Sequence, residues 1–120
     1  MGSRVRVPSS PQKLSDLRAF FIYVMMYYTY ILYSKQLDVF YVGFTGNLDA
    51  RLTYHNGGFE QFTKKGVPWI LVWAVEKPNK VDAMALEKKI KNLGRARKLD
   101  FMKKYSECLK ISLDDIGFEN

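Results

Sequence analysis

Only one cysteine, Cys108, occurs in 120 residues, which excludes an internal disulfide framework and any zinc cluster built on thiolates. That scarcity agrees with a reducing, cytoplasmic setting. A membrane partner is not expected either. The uncharged run Ala19–Tyr33 falls short of the ~18–20 residues a span needs, and five of its residues are tyrosine. No small-residue cleavage site follows it, which argues against a signal peptide. Internal repeats and low-complexity segments are absent. What is present is a chain that is 48% hydrophobic and 15% aromatic, enough to pack one domain with a single core. A net charge of +7 favours an anionic partner.

Residues 1–25 read differently from the rest. Met1 to Leu17 has no sustained hydrophobic period and holds Pro8 and Pro11, while Arg4, Arg6, Lys13 and Arg18 precede the uncharged run. The expectation is an extension with no selected fold, the natural start being Met25 or Met26. Val5-Arg6-Val7-Pro8 can be back-translated as GTTCGAGTCCC, which looks like the T-arm of a transfer RNA gene. The leader is therefore expected to be read from such a gene upstream. Without it the remainder of the chain stays net positive.

The stretch Tyr28–His55 organises the rest of the chain. Tyr28–Tyr33 and Val39–Phe44 are rich in β-branched and aromatic residues and read as strands joined by the polar turn Ser34–Asp38. A turn centred between Lys35 and Gln36 sets Tyr30 directly opposite Tyr41, both on one face. Gly43 lies two residues further along that face, where a missing side chain allows a close approach to the backbone. Asn47 is suited to cap a helix running to about His55. Leu48 and Leu52 form its buried stripe, with Arg51 and His55 beside it at i, i+4.

Beyond this stretch, Asn56-Gly57-Gly58 ends the helix, and 59–68 reads as a loop with Lys64 and Lys65 at its tip. Trp69–Glu76 is a third strand, apolar enough to lie centrally or to be covered on both faces. Pro78-Asn79 opens a helix over about 80–93 whose apolar side is Val81, Met84, Ala85, Leu86, Ile90 and Leu93, with Glu87 at the border. A further helix covers about 95–107, with Leu99, Met102 and Tyr105 facing in. Residues 108–120 read as an acidic, loosely packed tail. Between Lys88 and Lys104 the only acid is Asp100. Lys88, Lys91, Arg95, Arg97 and Lys98, together with Lys64 and Lys65, are candidates for contacting a phosphate backbone, in a binding mode that weakens steeply with salt. The order β-β-α-β-α-α predicts an α/β (α+β) domain: a small three-stranded, mainly antiparallel sheet flanked by helices. Its expected extent is 26–106, with 1–25 as extension and 107–120 as tail.

Thr29-Tyr30-Ile31, then Tyr41-Val42-Gly43, then Arg51 and His55, and Glu87 on a later helix, resemble the core of the GIY-YIG nuclease superfamily. The resemblance is to its small single-domain bacterial members, related to the nuclease domain of the bacterial excision-repair endonuclease. Tyr28 stands at the glycine of the family name, and Phe44 where several relatives carry a lysine. The resemblance implies a metal-dependent DNA endonuclease acting in repair or recombination. Its site residues are Tyr30 as base, Tyr41 orienting water or phosphate, Arg51 on phosphate oxygens, His55 holding a tyrosine or relaying a proton, and Glu87 holding one Mg²⁺ or Mn²⁺. DNA is the implied partner, RNA stays open, and a monomer is expected. The alternative is a module that binds nucleic acid on the same scaffold without cleaving it.

Overall fold

The two strand-like runs pair as an antiparallel hairpin, β1 (Tyr27–Ser34) with β2 (Val39–Thr45). This architecture comes from a computed structural model, which describes residues 17–18, 26–58 and 60–118. The expectations for the leader, apart from Leu17 and Arg18, lie outside the described residues. After the hairpin come α1 (Leu48–Asn56), the short α2 (Gln61–Lys64), β3 (Trp69–Lys77), α3 (Lys80–Lys91) and α4 (Arg95–Lys104). Two 3₁₀ turns, Ser106–Cys108 and Leu113–Ile116, follow. The sheet is fully antiparallel in the order β2-β1-β3. It is the expected three-stranded α+β arrangement, with α2 added inside the predicted loop.

The strand register differs from expectation by two residues. Tyr30 lies opposite Gly43, and Tyr41 opposite Leu32. The cause is the turn, which occupies four residues and ends at Asp38 in the left-handed region, φ 55°. Because side chains alternate with period two, an even shift leaves Tyr30 and Tyr41 on the same face as diagonal neighbours.

Alternation divides the sheet into two cores. Ile31, Tyr33 and Val42 join Val72 and Trp73 under Ile90 of α3 and Met102 of α4. Tyr30, Leu32, Trp69, Leu71 and Ala74 form the other, against Leu48 and Leu52 of α1. Strand β3 is therefore an edge strand covered on both faces, the second of the two arrangements its composition allowed. A register shift opposite Ile31/Leu32 accompanies the adjacent Val72 and Trp73 entering the same core.

Asn47 and Asn79 cap α1 and α3, each side-chain oxygen accepting from the backbone N–H three residues on. Three features depart from the sequence reading. The buried face of α3 is Ala83, Leu86 and Ile90, whereas Val81 (73% exposed), Met84 and Ala85 face outward. Small Ala83 permits close approach, and the Thr29 hydroxyl donates to its carbonyl at 2.9 Å, drawing the helix onto β1. Second, Tyr105 is more than a third exposed: α4 ends at Lys104, so Tyr105 leaves the helical phase and Phe101 packs on Trp73 instead. Third, the C-terminal segment is packed, not loose. Leu113 and Ile116 are buried, the Lys110 N–H donates to the Val72 carbonyl at 2.7 Å, and Phe118 stacks on Phe40. Its acids face water while its apolar residues point inward.

The hairpin turn is clamped to α4. Asp38 accepts from Arg95 Nη2 at 2.7 Å and from the Tyr33 hydroxyl at 2.5 Å, and Arg95 Nη1 donates to the Asp38 carbonyl at 2.6 Å. The Arg95 bond, then the Tyr33 bond, hold the Asp38 carboxyl below its ordinary range. A depressed folded pKa contributes stability that is complete above the unfolded value near ~4 and is lost as pH falls through the folded value. Asparagine tolerates the same backbone conformation, so Asp38→Asn removes the charge with little backbone change. Its melting temperature should lie below wild type at pH 7, with the gap closing below about pH 4. A gap that stays constant from pH 7 to pH 2 would show that charge is not what holds the turn.

Candidate active site

An open cleft of about 410 Å³ lies beside the end of the hairpin remote from its turn. Four of the five predicted site residues line it, each from a different element: Tyr30 on β1, Tyr41 on β2, Arg51 on α1 and Glu87 on α3. Tyr30 gets there because Gly43 faces it across the hairpin. A Cβ on Gly43 would sit 2.5 Å from the Tyr30 hydroxyl oxygen and 2.7 Å from Cζ. The group that approaches the bare backbone is thus the phenol itself.

The fifth residue, His55, does not reach the cleft surface. It is 0% exposed, behind the tyrosines, with Nε2 3.2 Å from the Tyr30 hydroxyl and its ring edge-on to Tyr41 at 4.8 Å. Sequence spacing placed Arg51 and His55 on one helix face, and the structure separates their environments. Arg51 is exposed in the cleft while His55 is interior. Among the described residues no side chain or backbone group pairs with His55 Nδ1.

Burial dominates the electrostatics. It raises the Tyr30 pKa, with Tyr41 adding to the effect and Arg51 opposing it. Tyr41 is raised by burial, then by Glu60, again against Arg51. Burial lowers His55, so its imidazole is neutral at pH 7. Both phenols therefore carry their protons at neutral pH, and the neutral imidazole can accept one.

None of the predicted backbone-contact residues lines the cleft. Lys64, Lys65, Lys88, Lys91 and Arg97 are exposed, and Lys98 is half-buried. Two of the set have internal partners: Arg95 in the Asp38 clamp, and Lys98, whose Nζ donates to the Leu93 carbonyl at 2.5 Å. Four cleft residues were missed: Tyr27, Thr45, Gly46 and Lys80. Lys80 carried a signal, seven residues before Glu87 and so on the same side of a helix. Tyr27 carried none; its ring reaches the cleft by lying across Gly46.

Residues 26–100 match the family model described as the GIY-YIG catalytic domain. The chain belongs to the GIY-YIG family. All five predicted site residues fall inside the matched span. The GIY-YIG domain is a nuclease-type domain, which implies nucleic-acid binding, and its members generally use divalent metal ions. Two curated relatives are similar. UPF0213 protein SH2523 of Staphylococcus haemolyticus is 36% identical over 74 residues, covering 61% of this chain and 89% of the relative. UPF0213 protein YsiG of Lactococcus lactis is 39% identical over 79 residues, 64% of this chain and 75% of the relative. The solution structure of UPF0213 protein BH0048 from Bacillus halodurans matches with 31% identity and a TM-score of 0.45, covering 66% of this chain and 84% of that one.

The donors in this GIY-YIG cleft suit a hard divalent ion held by few protein groups. Glu87 is the only carboxylate among the described residues that line it, with the Tyr30, Tyr41 and Thr45 hydroxyls as neutral oxygens. Among the described residues there is no cluster of three or more His, Cys, Asp or Glu that could hold a metal ion. That is the donor set Mg²⁺ tolerates, since it retains waters and takes further oxygens from a phosphate. No helix among the described residues is long and apolar enough to cross a membrane.

Proposed function

We propose that this protein is a metal-dependent endonuclease that hydrolyses DNA phosphodiester bonds. One observation carries the reading: two phenols, a guanidinium and a carboxylate from four separate elements open onto a single cleft, with a neutral imidazole bonded behind one phenol. Nucleic-acid binding alone does not require a buried tyrosine–histidine pair.

Hydrolysis needs a water to lose a proton, charge on the phosphate to be offset, and the departing oxygen to be stabilised. Tyr30 takes the water's proton in this reading. Because burial keeps its phenol protonated, it must give up its own proton at the same time, and His55 Nε2 is in position to accept it. That transfer uses the tautomer with the proton on Nδ1. Tyr41 orients the water or a phosphate oxygen from the neighbouring strand. Arg51 presents a planar, permanently charged fork to the phosphate oxygens. Glu87 would hold one Mg²⁺ or Mn²⁺, which when bound supplies Lewis-acid compensation for charge on the phosphate and the departing oxygen.

The deciding experiment incubates the protein with duplex, single-stranded, nicked and branched DNAs and an RNA, in Mg²⁺, Mn²⁺ or chelator. Cleavage that needs the metal and is abolished by chelator is expected for at least one DNA. Retained binding without cleavage under every condition would favour the binding module, a reading to which the apolar Phe44 in the cleft wall lends some support.

A further inference from the structure

The cleft holds a second cation that the mechanism above does not use. Lys80 lines it from the first turn of α3, opposite in charge to Glu87 on the same helix. Seven residues is close to two full turns, so both side chains leave α3 on the same side, about 10 Å apart along the axis. Arg51 reaches the cleft from a different helix.

Helix formation does not account for this lysine. The N-terminal end of a helix carries partial positive charge and disfavours a cation in its first turn. Asn79 caps α3, and the acid of that first turn is Asp82, which bonds to the Asn79 amide, not to Lys80. Among the described residues no carboxylate forms an ion pair with Lys80. Lys80 is exposed, so a place in the core does not explain its presence. A solvated charge placed against the helix dipole, without an ion-pair partner and on the wall of a cleft, is available to an anionic ligand entering that cleft.

The spacing decides which anion. In the nuclease reading the scissile phosphate sits among Tyr30, Arg51 and Glu87, which line the cleft together, and ~10 Å of helix axis is more than one phosphate group spans. The geometry points to Lys80 as the site for a neighbouring phosphate of the same strand, one that flanks the bond being cut. This rests on the nuclease reading of the cleft. It adds a requirement: the substrate must extend at least one phosphate beyond the scissile one, on the side toward the start of α3. Lys80 then sets how the strand lies in the cleft and takes no part in proton transfer.

The test is titration of a fluorescent oligonucleotide by anisotropy, in chelator, over a range of salt. Lys80→Ala should weaken binding about 5–10-fold at low salt and flatten the slope of log affinity against log salt by about 0.7–0.9, the signature of one lost phosphate contact. Lys80→Arg should restore both. Lys35→Ala, in the hairpin turn at the far end of β1, makes the same charge change and should leave the slope unaltered. Oligonucleotides carrying one neutral methylphosphonate at successive positions locate the contact. Wild type should lose affinity at one flanking position, and Lys80→Ala should lose nothing further there. An unchanged slope in Lys80→Ala, or equal losses in Lys80→Ala and Lys35→Ala, would overturn the assignment. Because binding is read without metal, a phosphate contact by Lys80 can stand even if no DNA is cut. Conversely, cleavage with no Lys80 effect would reject the contact and keep the nuclease.

Discussion

Glu87→Gln is expected to abolish most cleavage while leaving the fold and DNA affinity in place. Glutamine keeps the shape of the side chain and nearly its volume but removes the only carboxylate among the described residues that line the cleft. A metal's compensation of developing charge is worth several kcal/mol, so its loss corresponds to roughly 10²–10³ in rate. Binding should hold or strengthen slightly, because an acid facing phosphate is repulsive. Glu87 is only partly buried, and substitution at such a position changes stability by about 0.5 kcal/mol or less. Rates at saturating Mg²⁺ for both proteins, with melting temperatures as control, decide the matter. If turnover stays within a few-fold of wild type, Glu87 is a boundary residue of α3 and the metal lies elsewhere.

Gly43→Ala should damage stability and activity together, though it adds only one methyl group and changes no charge. The added Cβ falls 2.5 Å from the Tyr30 hydroxyl oxygen, 2.7 Å from Cζ and 3.1 Å from Cε2. Tyr30 is 2% exposed, so its ring cannot swing into solvent to relieve the overlap. Overpacking of this kind costs about 1–3 kcal/mol, equivalent to a melting temperature lower by roughly 5–20 °C in a domain of this size. Displacing the phenol also breaks its approach to His55, and a misplacement near 1 Å costs on the order of 100-fold in rate. The double variant Gly43→Ala/Tyr30→Phe removes the closest atom. It should regain part of the lost stability and none of the activity. Wild-type melting and turnover in Gly43→Ala would mean that the phenol has room the structure does not give it.

Much of this could be read from the residues alone. The hairpin, the two asparagine caps and the sharing of one face by Tyr30 and Tyr41 follow from local chemistry, and local chemistry is what a sequence displays. The two-residue error in register came from the turn: a left-handed Asp38 lengthened it, and its anchor, Arg95, lies 57 residues away. Long-range partners were invisible for the same reason. Arg95 and Lys98 read as phosphate-backbone contacts because nothing nearby in sequence announces Asp38 or the Leu93 carbonyl. On α3 the apolar residues outnumber those the sheet can cover, so periodicity alone chose too broad a face. His55 was expected beside Arg51, but how deep a residue lies depends on what is packed above it, here the Tyr30 and Tyr41 rings.

The segment that closes over the sheet after α4 has a practical consequence for anyone moving this domain into another protein. The recognisable family span stops at residue 100, yet Met102, Leu113 and Ile116 supply part of one core, and Lys110 hydrogen-bonds the edge strand. A graft cut at the family boundary would carry every residue proposed for the chemistry and leave Trp73 with its cover removed. The transferable unit is longer than the motif that identifies it.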